Sequence, residues 1–314
     1  MLRLSNIKLP LDYQESTLKK RVLALLRVQE ENLGDIALVR QSVDARDKNN
    51  IHLVCTVDVQ VKNEAAVLKR LRPGIAQVAP KEVPLAVKRK QAPLPPVVVG
   101  LGPCGLFAAL YLARAGLRPL VLERGEAVEH RARKVNRLMK EGTLDTESNI
   151  LFGEGGAGTF SDGKLTTRIK EPLCKEVLST FHAHGATEDI LYLQYPHIGT
   201  DKLPRVVSNI RKEIEALGGQ VLFNARLENL QVEEGTLRGI TYRREGESHQ
   251  VQCDQLVLAI GHSARDTYEM LHQKGMDMEQ KPFSIGFRIE HPQGLIDKAQ
   301  YGALAGHERL PRAE

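Results

Sequence analysis

Aromatic residues and cysteines are scarce in this chain of 314 residues. Aromatic side chains make up 4% of it and Trp is absent, so few rings are available to stack the bases of single-stranded nucleic acid. The cysteines are widely spaced, which excludes a zinc ribbon, a thioredoxin-like Cys-x-x-Cys motif and a dense disulfide scaffold. They are Cys55, Cys104, Cys174 and Cys253. We expect a reduced, cytoplasmic protein.

Long apolar runs are missing too. Val97–Val99 and residues 256–260 are among the longest and are far too short to cross a bilayer. The N-terminus has neither the apolar core nor the small-residue cleavage site of a signal peptide. We expect no membrane association. The histidines lack an accompanying carboxylate cluster, so we predict no metal site.

Positive charge is concentrated near the N-terminus. Residues 1–92 hold 17 Lys and Arg against 10 Asp and Glu, although the whole chain has a net charge of only +5. Such a segment is compatible with nucleic acid or an acidic partner. Solvated helix and linker charges explain it equally well, and we favour that interpretation because a charge run alone identifies no partner.

The pattern of the chain predicts two domains. Residues 1–79 combine alternating, strand-like runs with two helical periodicities and predict a small α+β domain. Residues 80–96 contain five prolines and several lysines and predict an extended linker. Residues 97–314 form the remainder, which we interpret as a nucleotide-binding domain followed by the start of a substrate domain.

The central motif is Gly100-Leu-Gly102-Pro-Cys-Gly105, which follows the apolar strand Val97–Val99 and opens a helix. Gly100 permits a tight turn, Gly102 lets a pyrophosphate approach the backbone, and Gly105 lets the helix pack on the sheet. Pro103 suits the first helical turn, and the free amides there provide an anion site. The motif predicts a Rossmann-type βαβ unit.

Glu123 ends the second strand of that unit, 18 residues after Gly105. A carboxylate there can accept hydrogen bonds from both hydroxyls of a ribose, and it would repel the 2′-phosphate of NADP. FAD and NAD share the ADP moiety, so the unit alone does not choose between them. The alternative to a dinucleotide-binding motif is a glycine turn in an unrelated α/β protein.

Further elements extend the fold. An amphipathic helix over residues 205–217 precedes a candidate third parallel strand over residues 221–223. Three alternating runs separated by turn-prone segments then predict a β-meander, and residues 256–260 predict a closing buried strand. The fold class is thus α/β: a Rossmann-like FAD/NAD(P)-binding domain with a β-meander insertion, preceded by a small α+β domain.

The motifs resemble those of flavoproteins. The Gly-x-Gly-Pro-x-Gly-Leu sequence with Glu123-Arg124, and Leu256-Val-Leu-Ala-Ile-Gly261, are similar to motifs of flavoproteins with two dinucleotide folds. Residues 151–165 and 283–293 more specifically resemble the uncharacterised FAD-dependent dehydrogenases of the NAD(FAD)-utilising type. The resemblance covers essentially the whole chain. It implies FAD as the cofactor, NAD(P)H as an electron donor, and cofactor contacts by Arg124 and Gly261.

Residues 153–164 form a glycine-rich segment. Its glycines free the backbone to fold closely around an anion or a flat ring, and its polar side chains can supply directed contacts. By its place in the resembling family we assign it to the pyrophosphate or isoalloxazine region. A P-loop is a rival, but Leu165 stands where Ser or Thr must bind Mg²⁺; a flexible surface loop is another. The cofactor-binding candidates in this segment are Gly155, Gly156, Ser161, Asp162, Gly163 and Lys164.

The resemblance fails in one respect. Members of such a family are expected to carry a Gly-Asp motif that closes the flavin site, and no Gly-Asp follows Ser263. We therefore expect a C-terminally shortened member.

The predicted function is that of a FAD-dependent oxidoreductase, with its substrate and catalytic residues unassigned. Two alternatives stay open. One is an NAD-binding dehydrogenase without flavin. The other is a non-catalytic nucleotide- or nucleic-acid-binding protein that uses the basic front domain.

Overall fold

The computed structural model describes residues 1–71, 74–79, 91–160, 163–167, 169, 171, 173–287 and 289–313. The chain divides into two compact units. The first unit consists of Met1–Val83, Glu188–Pro196 and Pro282–Glu314. The second unit consists of Pro84–Thr187 and His197–Lys281.

The first unit contains an antiparallel sheet covered by helices. Its first elements are β1 (Leu2–Leu9), α1 (Glu15–Leu26), β2 (Leu33–Asp44), β3 (His52–Val61), α2 (Glu64–Arg70) and β4 (Gln77–Val78). The strand order is β2-β3-β1-β4, and each neighbouring pair is antiparallel. This is the split βαβ arrangement of ferredoxin-like folds. Alternate residues such as Leu4 and Val57 are buried in one core with Val22 of α1 and Val67 of α2.

The second unit contains a parallel sheet and a β-meander. Its strands are β5 (Val97–Val99), β6 (Leu120–Leu122), β7 (Gln220–Leu222), β8 (Ala225–Glu233), β9 (Thr236–Arg244), β10 (Glu247–Gln252) and β11 (Leu256–Leu258). Its helices are α3 (Pro103–Arg114), α4 (Val128–Glu141), α5 (Leu173–Ala183), α6 (Leu203–Ala216) and α7 (Arg265–Gln273).

The order of the parallel sheet places three strand ends side by side. The strands are arranged β11-β5-β6-β7, and all neighbouring pairs are parallel. The carboxyl ends of β11, β5 and β6 therefore meet at one edge, where open α/β sheets bind ligands. Strands β8, β9 and β10 form the antiparallel meander. The predicted fold class is confirmed. Among the described helices, none is both long enough and apolar enough to cross a bilayer.

The compact units differ from the predicted domains. The prediction kept residues 97–314 together, but residues 188–196 and 282–314 belong to the first unit. The last helix, α8 (Gln293–Tyr301), explains this: Ile296 and Tyr301 pack into the core of the first unit, together with Ala313. Such long-range packing leaves no local sequence signal. Residues 80–90 of the predicted linker lie outside the described residues.

An ionic network links helices of the second unit. Arg114 Nε on α3 donates to Glu213 Oε1 on α6 at 2.7 Å, and His184 Nε2 lies 2.6 Å from Glu213 Oε2. The hydrogen bond from Arg114 lowers the pKa of Glu213 below its ordinary value of 4.5, against the opposing effect of burial. The ionised carboxylate therefore stabilises the packing of α3 on α6.

We expect Glu213→Gln to weaken the pH dependence of stability in acid. A carboxyl group whose pKa is lowered by folding contributes stability that is present above its unfolded pKa and lost as the pH falls through the folded value. The variant should lose about 1 kcal/mol of unfolding free energy at pH 7, and the difference from the parent should shrink below pH ~4. Urea unfolding between pH 7 and pH 3 measures this. An equal effect from Glu215→Gln, an exposed position on the same helix, would contradict the assignment.

Candidate dinucleotide site

A cleft of about 510 Å³ opens at the shared strand edge of the second unit. The ends of β5, β6 and β11 form its floor. Two glycine-containing segments border it: the first glycine loop, residues 100–105, and the second glycine loop, residues 149–158. Its lining includes Gly100, Gly102, Pro103, Cys104, Glu123, Arg124, Phe152, Gly153, Gly156, Gly158, Arg226, Gly261, His262, Ser263, Thr267 and Tyr268.

The first glycine loop has the shape that its sequence predicts. Gly100 has φ +95°, a conformation that favours glycine, and its amide donates to the Leu122 carbonyl at 2.7 Å. Gly105 lies so close to the carbonyl oxygen of Gly100 that an added Cβ would overlap it. At Gly102 an added Cβ would meet only the Cα of Gly156, at 3.8 Å. The backbone at Gly102 therefore leaves room for a ligand.

The start of α3 is suited to an anion. Gly102 is its N-cap residue and provides no side-chain cap, and Pro103 occupies the first turn. The first amides of a helix have no partner within the helix and lie at the positive end of its dipole. This turn of the chain can therefore bind the pyrophosphate of a dinucleotide.

Glu123 joins three segments around the cleft. Its Oε2 accepts from the Leu101 amide at 2.7 Å, and its Oε1 accepts from the amides of Gly125 and Gly153, each at 2.9 Å. The residue is only 4% exposed. A carboxylate has about four lone-pair positions, so the backbone occupies most of them. Room remains for one further donor, fewer than the two ribose hydroxyls that the sequence led us to expect.

Arg131 holds the second glycine loop from the opposite side. Its guanidinium donates to the carbonyl oxygens of Asn149, Ile150, Glu154 and Gly156 at 2.6–2.8 Å. The residue is fully buried. Burial lowers the pKa of the Arg131 guanidinium to about 10, while the nearby carboxylates of Glu123 and Glu154 act against that shift. It remains charged at neutral pH.

Glu154 completes this buried network. Its carboxylate accepts from the Val128 amide at 2.8 Å and from Arg211 Nε at 2.8 Å. Burial raises the pKa of Glu154, and these two hydrogen bonds oppose the rise. The amide of Gly155 donates to the Leu101 carbonyl at 2.8 Å. The second glycine loop is therefore fixed directly against the first.

Arg124 borders the cleft beside Glu123. Its guanidinium lies 4.2 Å from the centre of the Phe152 ring. It donates to Asp266 at 2.9 Å and to Glu147 at 3.1 Å. Two carboxylates and one ring thus fix the plane of the guanidinium, which suits it for stacking rather than for holding a phosphate.

The structure brings most of the predicted site residues together. Gly105 and Gly155 are not among the lining residues, but Gly105 contacts Gly100 and the Gly155 amide donates to Leu101. Gly163 and Lys164 do not line it: the Gly163 carbonyl accepts from the Ile198 amide at 3.1 Å, and Lys164 forms a bridge with His197. Ser161 and Asp162 lie outside the described residues. The predicted residues that line the cleft are Gly100, Gly102, Pro103, Glu123, Arg124, Gly156 and Gly261.

Arg131 and Glu154, the two charged residues that shape the second glycine loop, are not among the residues predicted from the sequence. A signal for Arg131 exists in α4, where Val128, Arg131 and Val135 occupy the buried stripe of an otherwise charged helix. A basic residue on the apolar stripe of a helix must find buried acceptors. No comparable pattern marks Glu154, which lies among glycines.

Models of known families match three parts of the chain. The FAD binding domain family matches residues 94–270, which is more than half of the chain. A family described as FAD-dependent protein, C-terminal domain-like, matches residues 282–314. A domain of unknown function matches residues 1–60. The match to the FAD binding domain family confirms FAD as the cofactor.

Individual proteins are similar as well. An uncharacterized protein of Clostridium beijerinckii is 44% identical over 315 residues, and the chain spans 58% of the length of this relative. Among solved structures, THI4 of Thermovibrio ammonificans aligns with 61% of this chain and 64% of its own, at 18% identity and a TM-score of 0.39. A 3-ketosteroid dehydrogenase from Rhodococcus jostii aligns with 58% of this chain and 48% of its own, at 17% identity and a TM-score of 0.33.

Two alanine substitutions should separate the roles of the first glycine loop. Gly102→Ala should leave the unfolding free energy of the apoprotein within about 1 kcal/mol of the parent, because the methyl group meets open space. It should raise the Kd for FAD at least about tenfold, since that space is where a pyrophosphate approaches. Gly105→Ala should lower the unfolding free energy by about 1–3 kcal/mol without any ligand.

Urea unfolding of the apoprotein and titration by flavin fluorescence measure these two effects. Parental FAD affinity in Gly102→Ala would show that the pyrophosphate lies elsewhere.

Proposed function

The chain belongs to the FAD binding domain family, and from this premise we propose that it forms the FAD-binding part of an oxidoreductase of the NAD(FAD)-utilising dehydrogenase type. FAD, when bound, supplies a ring system that accepts a hydride or electrons. The chain contributes binding, orientation and electrostatics. The observation that carries the proposal is the convergence of both glycine loops and Glu123 on one cleft.

The first glycine loop binds the pyrophosphate in this proposal. Gly102 allows close approach, and the first-turn amides of α3 donate to the phosphate oxygens. The second glycine loop, held by Arg131, borders the same space through Gly156. Neither loop contributes a cation directly to the cleft, so backbone dipoles carry most of the anion binding.

Glu123 binds the adenosine ribose through its remaining lone-pair position on Oε2. One hydroxyl, rather than two, donates to it. A 2′-phosphate would bring negative charge against a buried carboxylate, which favours FAD or NAD over NADP at this cleft.

Arg124 borders the adenosine end of the cleft. Its guanidinium already stacks on Phe152, and its plane is fixed by Glu147 and Asp266. An adenine ring can extend this stack because guanidinium groups lie favourably against aromatic faces. Gly261, three residues after the end of β11, lines the same cleft. NAD(P)H is the proposed electron donor. The proposed location is the cytoplasm, which agrees with the four unpaired thiols.

Titration of the apoprotein tests this proposal. FAD should bind with quenching of flavin fluorescence and a perturbed visible spectrum, and ADP should displace it, since both ligands share the half that the cleft holds. Glu123→Gln should weaken FAD binding at least about tenfold, because the amide replaces an acceptor by a donor. Glu269→Gln, on the exposed side of α7, is the matched control.

Failure of both FAD and ADP to bind the parent protein would overturn the proposal. Equal FAD affinity in the Glu123 and Glu269 variants would leave FAD binding intact but remove Glu123 from the ribose site.

A further inference from the structure

An apolar strip on the first unit is not covered by any of the described residues. Four large side chains alternate along an extended segment, and their exposed fractions are 85% for Phe283, 91% for Ile285, 101% for Phe287 and 75% for Ile289. We call these four residues the apolar strip. Alternation places them on one face of an extended chain. Ser284, Gly286 and Glu290 fall on the other face.

The segment lacks the neighbours that a strand of this composition needs. Among the described residues, none of the amides or carbonyls of residues 277–291 takes part in a recorded backbone hydrogen bond, and no strand pairs with them. Fully exposed Phe and Ile side chains in such a row are unusual for a surface. Contiguous apolar patches of this kind mark interaction sites.

A flexible linker does not explain the strip. Linkers are rich in Gly, Ser, Pro or charge, because such residues gain little from burial. Residues 283–289 instead alternate β-branched and aromatic side chains with small or polar ones, which is the pattern of a strand with one buried face. The expected neighbour therefore provides both a strand edge and an apolar surface.

The similar proteins indicate what that neighbour is. The Clostridium beijerinckii relative aligns with the whole of this chain, yet the alignment covers 58% of the relative. About two fifths of that protein therefore has no counterpart in residues 1–314. The match to the C-terminal domain-like family begins at residue 282, immediately before the strip. The strip thus lies at the start of the segment that matches the C-terminal domain-like family.

We propose that residues 283–289 add as a strand to a sheet formed by polypeptide equivalent to that additional part of the relative, and that this polypeptide covers the apolar strip. Backbone pairing would supply affinity and the alternating side chains would supply register, as in other strand additions. The proposal does not rest on the function assigned to the cleft.

Co-expression of the full chain with the additional part of the clostridial relative tests the proposal. We expect a 1:1 complex in sedimentation, with amide hydrogen exchange over residues 283–289 slowed at least about tenfold relative to the chain alone. Ile285→Asp should raise the Kd of the complex at least about thirtyfold, since a charge would enter the covered face. Ser284→Asp places the same charge on the opposite face and should change the Kd less than about threefold.

A fusion of the chain to the same clostridial part provides a second measurement if the separate polypeptide does not fold. Protection of residues 283–289 in the fusion, abolished by Ile285→Asp and retained in Ser284→Asp, supports the proposal. Unprotected amides in both the complex and the fusion would overturn it. Protection of the strip in the chain alone, rising with concentration, would overturn it in favour of a second copy as the occupant.

Discussion

The buried carboxylate of Glu123 is the interaction on which the cleft depends. It accepts amide protons from Leu101 in the turn after β5, from Gly125 and from Gly153, and so joins three segments of the chain. A buried charge without hydrogen-bond donors costs several kcal/mol. Movement of either glycine loop would therefore remove a hydrogen-bond donor from that charge. Polar contacts, rather than apolar packing, set the distance between the two loops.

Glu123 binds backbone amides, and Arg131 correspondingly binds the backbone carbonyl groups of the second glycine loop. The second glycine loop has no regular secondary structure over residues 149–156, yet four of its carbonyl oxygens accept from one guanidinium. Buried backbone groups must be paired somewhere, and here one arginine replaces a sheet neighbour. The loop is consequently ordered when the protein folds. A ligand that binds beside it does not bear that ordering cost.

Local signals explain what the sequence could predict. The strand, the glycine turn, the helix and Glu123 are consecutive, so their spacing alone places them around one anion site. The backbone course of a glycine-rich segment cannot be predicted in this way, because glycine adopts many backbone conformations and favours none of them. Gly155 and Gly156 meet the first loop, whereas Gly163 and Lys164 turn away and pair near His197. The contacts of Arg131 and Glu154 decide this division, and they join residues about 20 to 60 positions apart in the sequence.

The same reasoning explains why residues 282–314 were kept in one domain with the FAD-binding fold, as the start of a substrate domain, although they belong to the first unit. Chain order suggested continuity, but the burial of Tyr301 and Ala313 in the first core decides their position. The hydrogen bonds that join the two glycine loops all lie within the second unit. Among the described residues, the backbone of the segment that carries the apolar strip forms no hydrogen bonds, and the four apolar side chains are exposed. In the proposal above, the alternating pattern of this segment reflects pairing with another polypeptide, whereas the pattern of the glycine motif reflects the chain's own βαβ unit.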